Sequence, residues 1–383
     1  VYLTPIFKSN SCHKYDTTDY YQIDPSFGTT EDLKELVQKA HERGMKVVLD
    51  AVYNHTGREF FAFADILENG EKSKYRDWYF IDGFPLKSEW GEIPNFKCFG
   101  YYGGMPKLNL KNPEVEKYIT DVACYWIKEC DIDGWRLDVG DEISHFFWKN
   151  FRKAVKAVKK DMLIIGEIWH YAGDFLEGDE WDTVMNYPFY LNLIDLLADE
   201  KITVSQFVQN LGYLKGRLHK NCYPLMWNLI DSHDTARFLH LCNDNKKKQH
   251  LAAAFQLLLP GMPMIYYGDE YAMPGANDPD CRRGMYWDEE YQDKEMYEWY
   301  KRLIQVRKSH ACIVEGELAG IVTEDEEGTI VLIRKNGEET IAMIFNCSSS
   351  AKKFNEYTQK YNLLTENTFD GNVEGFDAAV IVL

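Results

Sequence analysis

Gly134-Trp135-Arg136-Leu137-Asp138 decides the fold: it is a short apolar run that ends on a carboxylate. A helical stretch, Glu114–Cys130, opened by Asn112-Pro113, precedes it, and a second, Glu142–Lys159, follows. The same unit recurs in both directions. Upstream, the strand Lys46–Asp50 (KVVLD) follows a helix over Thr29–Arg43, where Leu33, Leu36, Val37 and Ala40 recur at helical spacing and Gly44 stops the run. Further upstream, Val1–Phe7 (VYLTPIF) reads as one strand. Downstream come the strand Leu163–Glu167 (LIIGE), a weaker strand Thr183–Asn186, and helices over Pro188–Ala198 and Val204–Leu218. Then follow the strand Leu225–Asp231, a helix near Gln249–Leu259, the strand Pro263–Tyr267 and a helix over Glu290–Lys308. Strands alternating with helices pair in parallel, and about seven such units predict an α/β protein, a closed (β/α)8 TIM barrel.

Two segments break the alternation. Residues 56–111 run far beyond the usual βα connection of about two to six residues, so they predict an inserted domain over the strand ends. They are rich in aromatics: Phe60, Phe61, Phe63, Trp78, Tyr79, Phe80, Trp90, Phe96, Tyr101 and Tyr102. After about Cys312 helical signals give way to alternating runs: Thr329–Arg334, an Asn336-Gly337 turn, Thr340–Asn346 and a last strand at Ala378–Leu383. The domain reading is therefore a barrel over 1–311 interrupted by 56–111, and a C-terminal antiparallel β-sandwich over 312–383. The acidic run Thr323–Gly328 and the patch Lys246–Lys248 read as solvated turns.

Composition narrows the partners. Lys and Arg total 43 against 61 Asp and Glu, a formal net charge of −18, which argues against nucleic acid and anionic membrane surfaces. The longest apolar stretch, Leu251–Gly268, carries Gln256, Pro260 and Pro263 and is no membrane span. Aromatic residues make up 15% of the chain, and their faces suit the apolar C–H faces of sugar rings. Nine scattered cysteines, an odd number with no CxxC pair, read as reduced thiols in a cytoplasmic setting. The chain opens on Val1 inside a strand, so the question of an export signal stays open at this stage.

Four strands end on carboxylates: Asp50, Asp138, Glu167, and Asp231 continuing Ser232-His233-Asp234. In a barrel of this kind such ends meet in one mouth. Capping of the following helices is the plainer alternative for any one of them. Arg136 and Asp138 are two apart on a strand and share a face, so the guanidinium keeps the carboxylate ionised, as a nucleophile requires. Glu167 lies between Ile165, Gly166, Ile168 and Trp169, where desolvation favours the protonated form that a general acid requires. One carboxylate that attacks and one acid that protonates the leaving oxygen are the requirements of glycoside hydrolysis, and Asp234 is a candidate third carboxylate that steadies the positive transition state.

These residues carry a resemblance. Asp50-Ala51-Val52-Tyr53-Asn54-His55, Gly134–Asp138, Gly166-Glu167-Ile168-Trp169-His170 and Ser232-His233-Asp234 resemble, in order, the principal motifs of the α-amylase family of retaining glycoside hydrolases. Met105-Pro106-Lys107-Leu108-Asn109, His13-Lys14-Tyr15-Asp16-Thr17 and Asn277-Asp278-Pro279-Asp280-Cys281-Arg282-Arg283 are similar to its neopullulanase, cyclomaltodextrinase and maltogenic amylase group. The resemblance implies Asp138 as nucleophile, Glu167 as acid/base and Asp234 as transition-state stabiliser, with carboxyls of the first two about 5–5.5 Å apart. It further implies that Asp50 belongs to the substrate site, that Tyr15 stacks on the sugar being cleaved, that His55 and His233 bond its hydroxyls and that Arg136 positions the nucleophile. Asp278 and Arg282 would hold the next sugars, and Trp169 would lie on the leaving-group side. For Tyr15 core packing, and for Asp278 with Arg282 a loop ion pair, are the structural alternatives.

Two departures qualify the match. After Asp138 the chain reads Val139-Gly140-Asp141-Glu142, without the Lys-His that accompanies a structural calcium in the family's α-amylases. No metal site is carried over: no cofactor is required, and Asn54 alone does not make a calcium site. VYLTPIF resembles the family's second barrel strand, so the first βα unit and the N-terminal domain that supports dimerisation in this group are not in this sequence; a homodimer is expected where that domain is present. The expected reaction is hydrolysis of α-1,4-glucosidic bonds in cyclomaltodextrins, pullulan, starch and maltooligosaccharides. The alternatives are an α-1,6-glucosidase or plain α-amylase of the same family, or a non-catalytic glucan-binding protein.

Overall fold

The alternation seen in the sequence is present in the computed structural model, which describes residues 1–87, 93–219 and 221–383. In chain order the first unit carries β1 (Tyr2–Leu3), β2 (Phe7–Ser9), β3 (Thr17–Ile23), α1 (Thr30–Glu42), β4 (Val48–Ala51), α2 (Phe61–Asn69), α3 (Pro113–Cys130), β5 (Gly134–Leu137), α4 (His145–Val158), β6 (Leu163–Gly166) and β7 (Thr183–Val184). This unit comprises Val1–Ile168 with Ala172–Val184, and the second comprises Trp169–Tyr171 with Met185–Leu383.

Five strands of the first unit form one parallel sheet in the order β1-β4-β5-β6-β7. Every residue of β4 and β5 is buried, as expected of strands covered on both faces. The helices begin where their caps dictate. Thr29 and Asp32 form a reciprocal capping box on α1, the Asn112 side chain accepts from Glu114 N ahead of Pro113 on α3, and Ser144 Oγ accepts from Phe147 N on α4. That last cap shortens the expected Glu142–Lys159 helix, and leaves Gly140–Glu142 as a single 3₁₀ turn. Val1–Phe7 is not one strand. Pro5 lacks an N–H for a ladder, so only Tyr2–Leu3 joins the sheet, while Phe7–Ser9 pairs antiparallel with β3, a strand the sequence reading lacks.

The long segment 56–111 folds back on the sheet's C-terminal side. Thr56 N donates to Pro106 O (3.1 Å) and Leu108 N to Asn54 O (3.0 Å), so the Met105–Asn109 run is laced to the chain leaving β4. Phe60, Phe61, Trp78 and Tyr118 of α3 make an edge-on aromatic cluster beneath it. Trp90 lies outside the described residues.

The second unit carries α5 (Tyr187–Leu197), α6 (Val204–Arg217), β8 (Trp227–Asn228), α7 (Phe238–Leu241), α8 (Lys246–Leu258), β9 (Met262–Pro263), α9 (Lys294–Ser309), α10 (Cys312–Glu315), β10 (Glu317–Glu324), β11 (Thr329–Asn336), β12 (Glu339–Asn346), β13 (Lys352–Lys353), β14 (Tyr361–Asn362), β15 (Asn367–Thr368), β16 (Asn372–Val373) and β17 (Asp377–Val382). The parallel pair β8–β9 is shorter than either expected strand: Leu225–Asp231 reduces to Trp227–Asn228, and Pro263–Tyr267 to Met262–Pro263. Asp293 caps α9, which begins four residues after the expected start. Lys246–Lys248 is the first turn of α8 rather than a solvated turn, with Lys246 on Asp293 and Lys248 on Glu200.

Residues 317–383 form a six-stranded antiparallel sheet in the order β10-β11-β12-β17-β14-β15. The expected sandwich is lopsided: the second layer is the two-stranded β13–β16 pair, which covers a core of Val331, Ala342, Ile344, Phe354, Phe369 and Ile381. The other face of the sheet joins the core of α8 and α9, where Phe345 stacks on Phe255 at 4.3 Å. The second unit's sheet and helices thus share one hydrophobic core.

Candidate active site

Three neighbouring strands deliver the first unit's polar groups. Asp50 on β4 and Arg136 on β5 are partners across the ladder, so both stand at the same level. Asp138 is one residue past β5, and its N–H still donates to Ala51 O (3.2 Å); Glu167 is one residue past β6, and its N–H donates to Leu137 O (3.0 Å). Register therefore fixes their depth: all emerge at the C-terminal end of the sheet, where such barrels hold their sites.

Arg136 is fully buried at their centre. Its Nη1 donates to both carboxylate oxygens of Asp50 (3.1 Å each) and to Asp138 Oδ1 (3.0 Å), and its Nη2 lies 2.9 Å from Glu167 Oε2. Burial raises the Asp50 carboxyl above its ordinary value, and Arg136 opposes that rise. Two tyrosines complete the cluster: Tyr2 donates to Asp50 Oδ2 at 2.6 Å and Tyr15 to the same oxygen at 3.1 Å. Burial and the neighbouring carboxylates push both phenols well above their usual values, so they stay neutral donors. Asp50 is wholly enclosed, whereas the side chains of Asp138 and Glu167 are each 8% exposed.

Glu167 differs from the sequence expectation. It is not isolated among apolar neighbours: the guanidinium that pairs with Asp138 also reaches Glu167, and Val139 N donates to Glu167 Oε2 at 3.0 Å. The backbone beneath is closed by Trp181, whose indole lies so near Gly166 that a Cβ there would sit 2.2 Å from its ring. Trp181 itself is stacked on Phe175 at 4.0 Å.

His55 is fully buried, and burial pushes its imidazole down to about 4, so it is neutral at pH 7. A neutral ring facing a carbonyl must donate, which assigns the proton to Nε2, 3.1 Å from Tyr15 O. The ring stacks on Phe99 at 5.2 Å, and Tyr15 packs against Val52 and Met105. Asn54 Nδ2 faces Glu142 Oε2 at 3.4 Å, and that oxygen also takes the Lys107 ammonium at 2.6 Å. The positive charge against Glu142 is thus a lysine, an arrangement unlike a calcium cage. Among the described residues no group of three or more His, Cys, Asp or Glu is gathered to hold a metal ion, and no helix is long and apolar enough to cross a membrane.

The second unit carries the remaining candidates. His233 Nε2 lies 3.1 Å from Asp234 Oδ2, Arg282 Nη2 lies 3.3 Å from Asp234 Oδ1, and Arg282 Nε reaches Asp278 Oδ1 at 2.7 Å. Asp234, His233, Asp278 and Arg282 are therefore one connected group. Trp169, 40% exposed, stacks on Tyr187 at 3.9 Å and 12°. Asp231 is not part of it: fully buried, it accepts from Phe238 N at 2.7 Å and faces Asp269.

Sequence reasoning missed Tyr2, Val139, Lys107 with Glu142, and Tyr187. For Tyr2 a signal existed: it lies on the strand beside β4 in register with Val48, two residues before Asp50 and so on the same face of the sheet. Val139 and Tyr187 act through backbone conformation and stacking, which leave no mark in residue type.

Residues 1–316 match the family model for the catalytic domain of alpha-amylase. The chain is 48% identical over 351 residues to a cyclomaltodextrinase of Geobacillus thermopakistaniensis strain MAS1, covering 92% of this chain and 59% of that one. It is 44% identical over 347 residues to neopullulanase 2 of Thermoactinomyces vulgaris, covering 90% and 59%. Among solved structures, a cyclomaltodextrinase superposes with a TM-score of 0.94 at 40% identity, covering 99% of this chain and 67% of that one. The chain thus spans about three fifths of the length of these curated relatives.

Proposed function

The chain belongs to the alpha-amylase family of glycoside hydrolases, and from that premise we propose that it hydrolyses α-1,4-glucosidic bonds in cyclomaltodextrins, pullulan, starch and maltooligosaccharides with retention of configuration. Asp138 attacks the anomeric carbon while Glu167 gives its proton to the departing glycosidic oxygen. A covalent glycosyl-enzyme forms; Glu167 then takes a proton from water, which releases the sugar. The observation that carries this reading is one buried guanidinium within 3.0 Å of both carboxyls, which suits the close spacing a retaining pair requires. Arg136 steadies the charge that Asp138 needs, and Asp50 with Tyr2 and Tyr15 anchors Arg136 from behind.

Asp234 is assigned to stabilising the oxocarbenium-like transition state, Tyr15 to stacking on the sugar being cleaved, and His55 and His233 to bonding its hydroxyls. Asp278 and Arg282 take the next sugars, and the exposed Trp169 offers its face to the leaving group. Residues 56–111 act as an inserted domain over the strand ends, and 312–383 as a C-terminal domain. The chemistry needs no organic cofactor, and the nine free thiols suit a reducing, cytoplasmic setting.

The test is product analysis of β-cyclodextrin digestion by the protein, with rates on pullulan and soluble starch. Preference for the cyclic substrate supports the assignment. Preference for α-1,6 bonds or for starch transfers it to another branch of the family, and binding of labelled oligosaccharide without cleavage reduces the protein to a glucan-binding one.

A further inference from the structure

We propose that Val139 is a positioning residue: its backbone N–H, together with Arg136, clamps Oε2 of Glu167, so that the proton exchanged with substrate is carried on Oε1. This rests on the reading of Glu167 as the acid/base.

The backbone immediately after Asp138 is in an unusual state. Val139 has φ 47° and ψ 43°, the left-handed region, where a β-branched residue is strained. Such conformations are costly and persist only where the surroundings impose them. Here they do. Glu142 N closes on Val139 O (3.2 Å), Trp148 Nε1 holds Gly140 O (2.8 Å), and a Cβ on Gly140 would lie 2.8 Å from the Trp181 ring. The strained turn aims the Val139 N–H at Glu167 Oε2, 3.0 Å away, and Arg136 Nη2 meets the same oxygen at 2.9 Å.

Val139 N–H donates, so Oε2 must offer it a lone pair, and the Arg136 guanidinium pairs by charge with the same oxygen. A carbonyl oxygen suits both; a hydroxyl oxygen has its own proton to place and is the poorer partner for a donor and a cation. In the protonated acid Oε2 is therefore the C=O oxygen, and the hydroxyl is Oε1. When the proton leaves, negative charge spreads onto Oε2, where the hydrogen bond from Val139 and the ion pair with Arg136 both strengthen. The clamp thus fixes which oxygen reacts. Asp50 and Tyr2 also bear on Glu167, and Asp138 shares Arg136 with it. Glu142 is occupied by Lys107, and Glu180 by His145 and Lys149.

The test removes one hydrogen and nothing else. In the full-length protein, Val139 is replaced by its α-hydroxy-acid analogue, 2-hydroxyisovaleric acid, which turns the amide N–H into an ester oxygen and keeps the side chain. A donor to the ionised form is lost, so the acid holds its proton to higher pH. The alkaline limb of kcat/KM should move up by about one pH unit, a tenfold change in proton concentration, as expected for one hydrogen bond to a charged group. An unmoved limb overturns the proposal. A second measurement does not depend on that variant folding. In 15N-valine-labelled protein, the Val139 amide proton should move downfield along the same titration as the alkaline limb, and should stop titrating in Glu167→Gln. A flat Val139 signal overturns the proposal. The two readings fail separately: wild-type turnover in Glu167→Gln removes Glu167 as acid/base, whereas an inactive Glu167→Gln beside a flat amide removes the role of Val139 alone.

Discussion

Each unit buries one arginine among aspartates, and the two clusters have opposite fates. Arg136 and Arg237 are both 0% exposed. Around Arg136, Asp138 and Glu167 stay at the protein surface by a narrow margin, while Asp50 behind them is sealed. Around Arg237 the carboxyls are sealed, with Asp231 0% and Asp269 1% exposed. Arg237 holds Asp269 Oδ1 at 3.2 Å and Tyr267 O at 2.9 Å, and its guanidinium lies 4.4 Å over the Tyr266 ring. Asp269 faces Asp231, and burial and mutual repulsion push Asp269 well above the usual carboxylate range, against the pull of Arg237. The lesson is that an arginine among carboxyls does not mark chemistry. What separates the two clusters is a path to solvent for the carboxylates and donors aimed at their reacting oxygens.

The sharpest way to break the comparison is to neutralise one carboxyl in each cluster. Glu167→Gln should lower turnover by about 10²–10⁴-fold, the range a positioned general acid supplies, and Asp138→Asn and Asp234→Asn should lower it by at least as much. Melting temperatures should stay close to wild type for all three. Near-wild-type maltose release by Asp138→Asn would end the assignment. In the sealed cluster the pattern should invert. Arg237→Ala leaves two buried carboxyls without their cation and should cost about 3–5 kcal/mol, read as a fall in denaturation midpoint, with turnover of the folded fraction kept within tenfold. Equal loss of turnover in Arg237→Ala would mean that the second cluster also serves the chemistry.

A third effect is set by pH. His55 is held neutral by burial, with a value of about 4 against about 6.5 in an unfolded chain. The unfolded state therefore binds a proton first as pH falls, so native stability is intact above about pH 6.5 and declines toward pH 4, by about 3 kcal/mol in all. His55→Gln should flatten that decline in denaturant titrations between pH 7 and 4. An unchanged slope would show that His55 does not govern acid stability.

How much of this was legible in residues follows from what sets each feature. The alternation of apolar runs and amphipathic helices reports burial directly, so β4, β5, β6 and the helices beside them were readable to within a few residues. Asp50, Arg136, Asp138 and Glu167 were readable because a strand has period two and the ladder carries register from one strand to the next. The break at Pro5, the shortness of β8 and β9 and the separation of Asp231 from Asp234 were not, because tertiary packing decides them. The environment of Glu167 was misread for the same reason. Its sequence neighbours are apolar, but its spatial neighbour Arg136 comes from the adjacent strand.

The smallest effect tests the second unit's outer group. Asp278 is 51% exposed on its side chain and Arg282 is 23% exposed, at a separation of 2.7 Å and four residues apart. An ion pair so open to water contributes about 0–1 kcal/mol, and salt screens it further. If its purpose is to stiffen the loop, Asp278→Asn should lower the melting point slightly and leave KM for maltooligosaccharides alone. If the pair holds sugars, stability should barely change while KM rises about tenfold or more, because a hydrogen bond to a charged group is worth about 1.5–3 kcal/mol, more than the exposed pair itself. The same substitution thus separates a loop staple from a binding group by which measurement moves. The contact of Arg282 with Asp234 at 3.3 Å favours the second outcome, since it ties this exposed pair to the carboxylate assigned to the transition state.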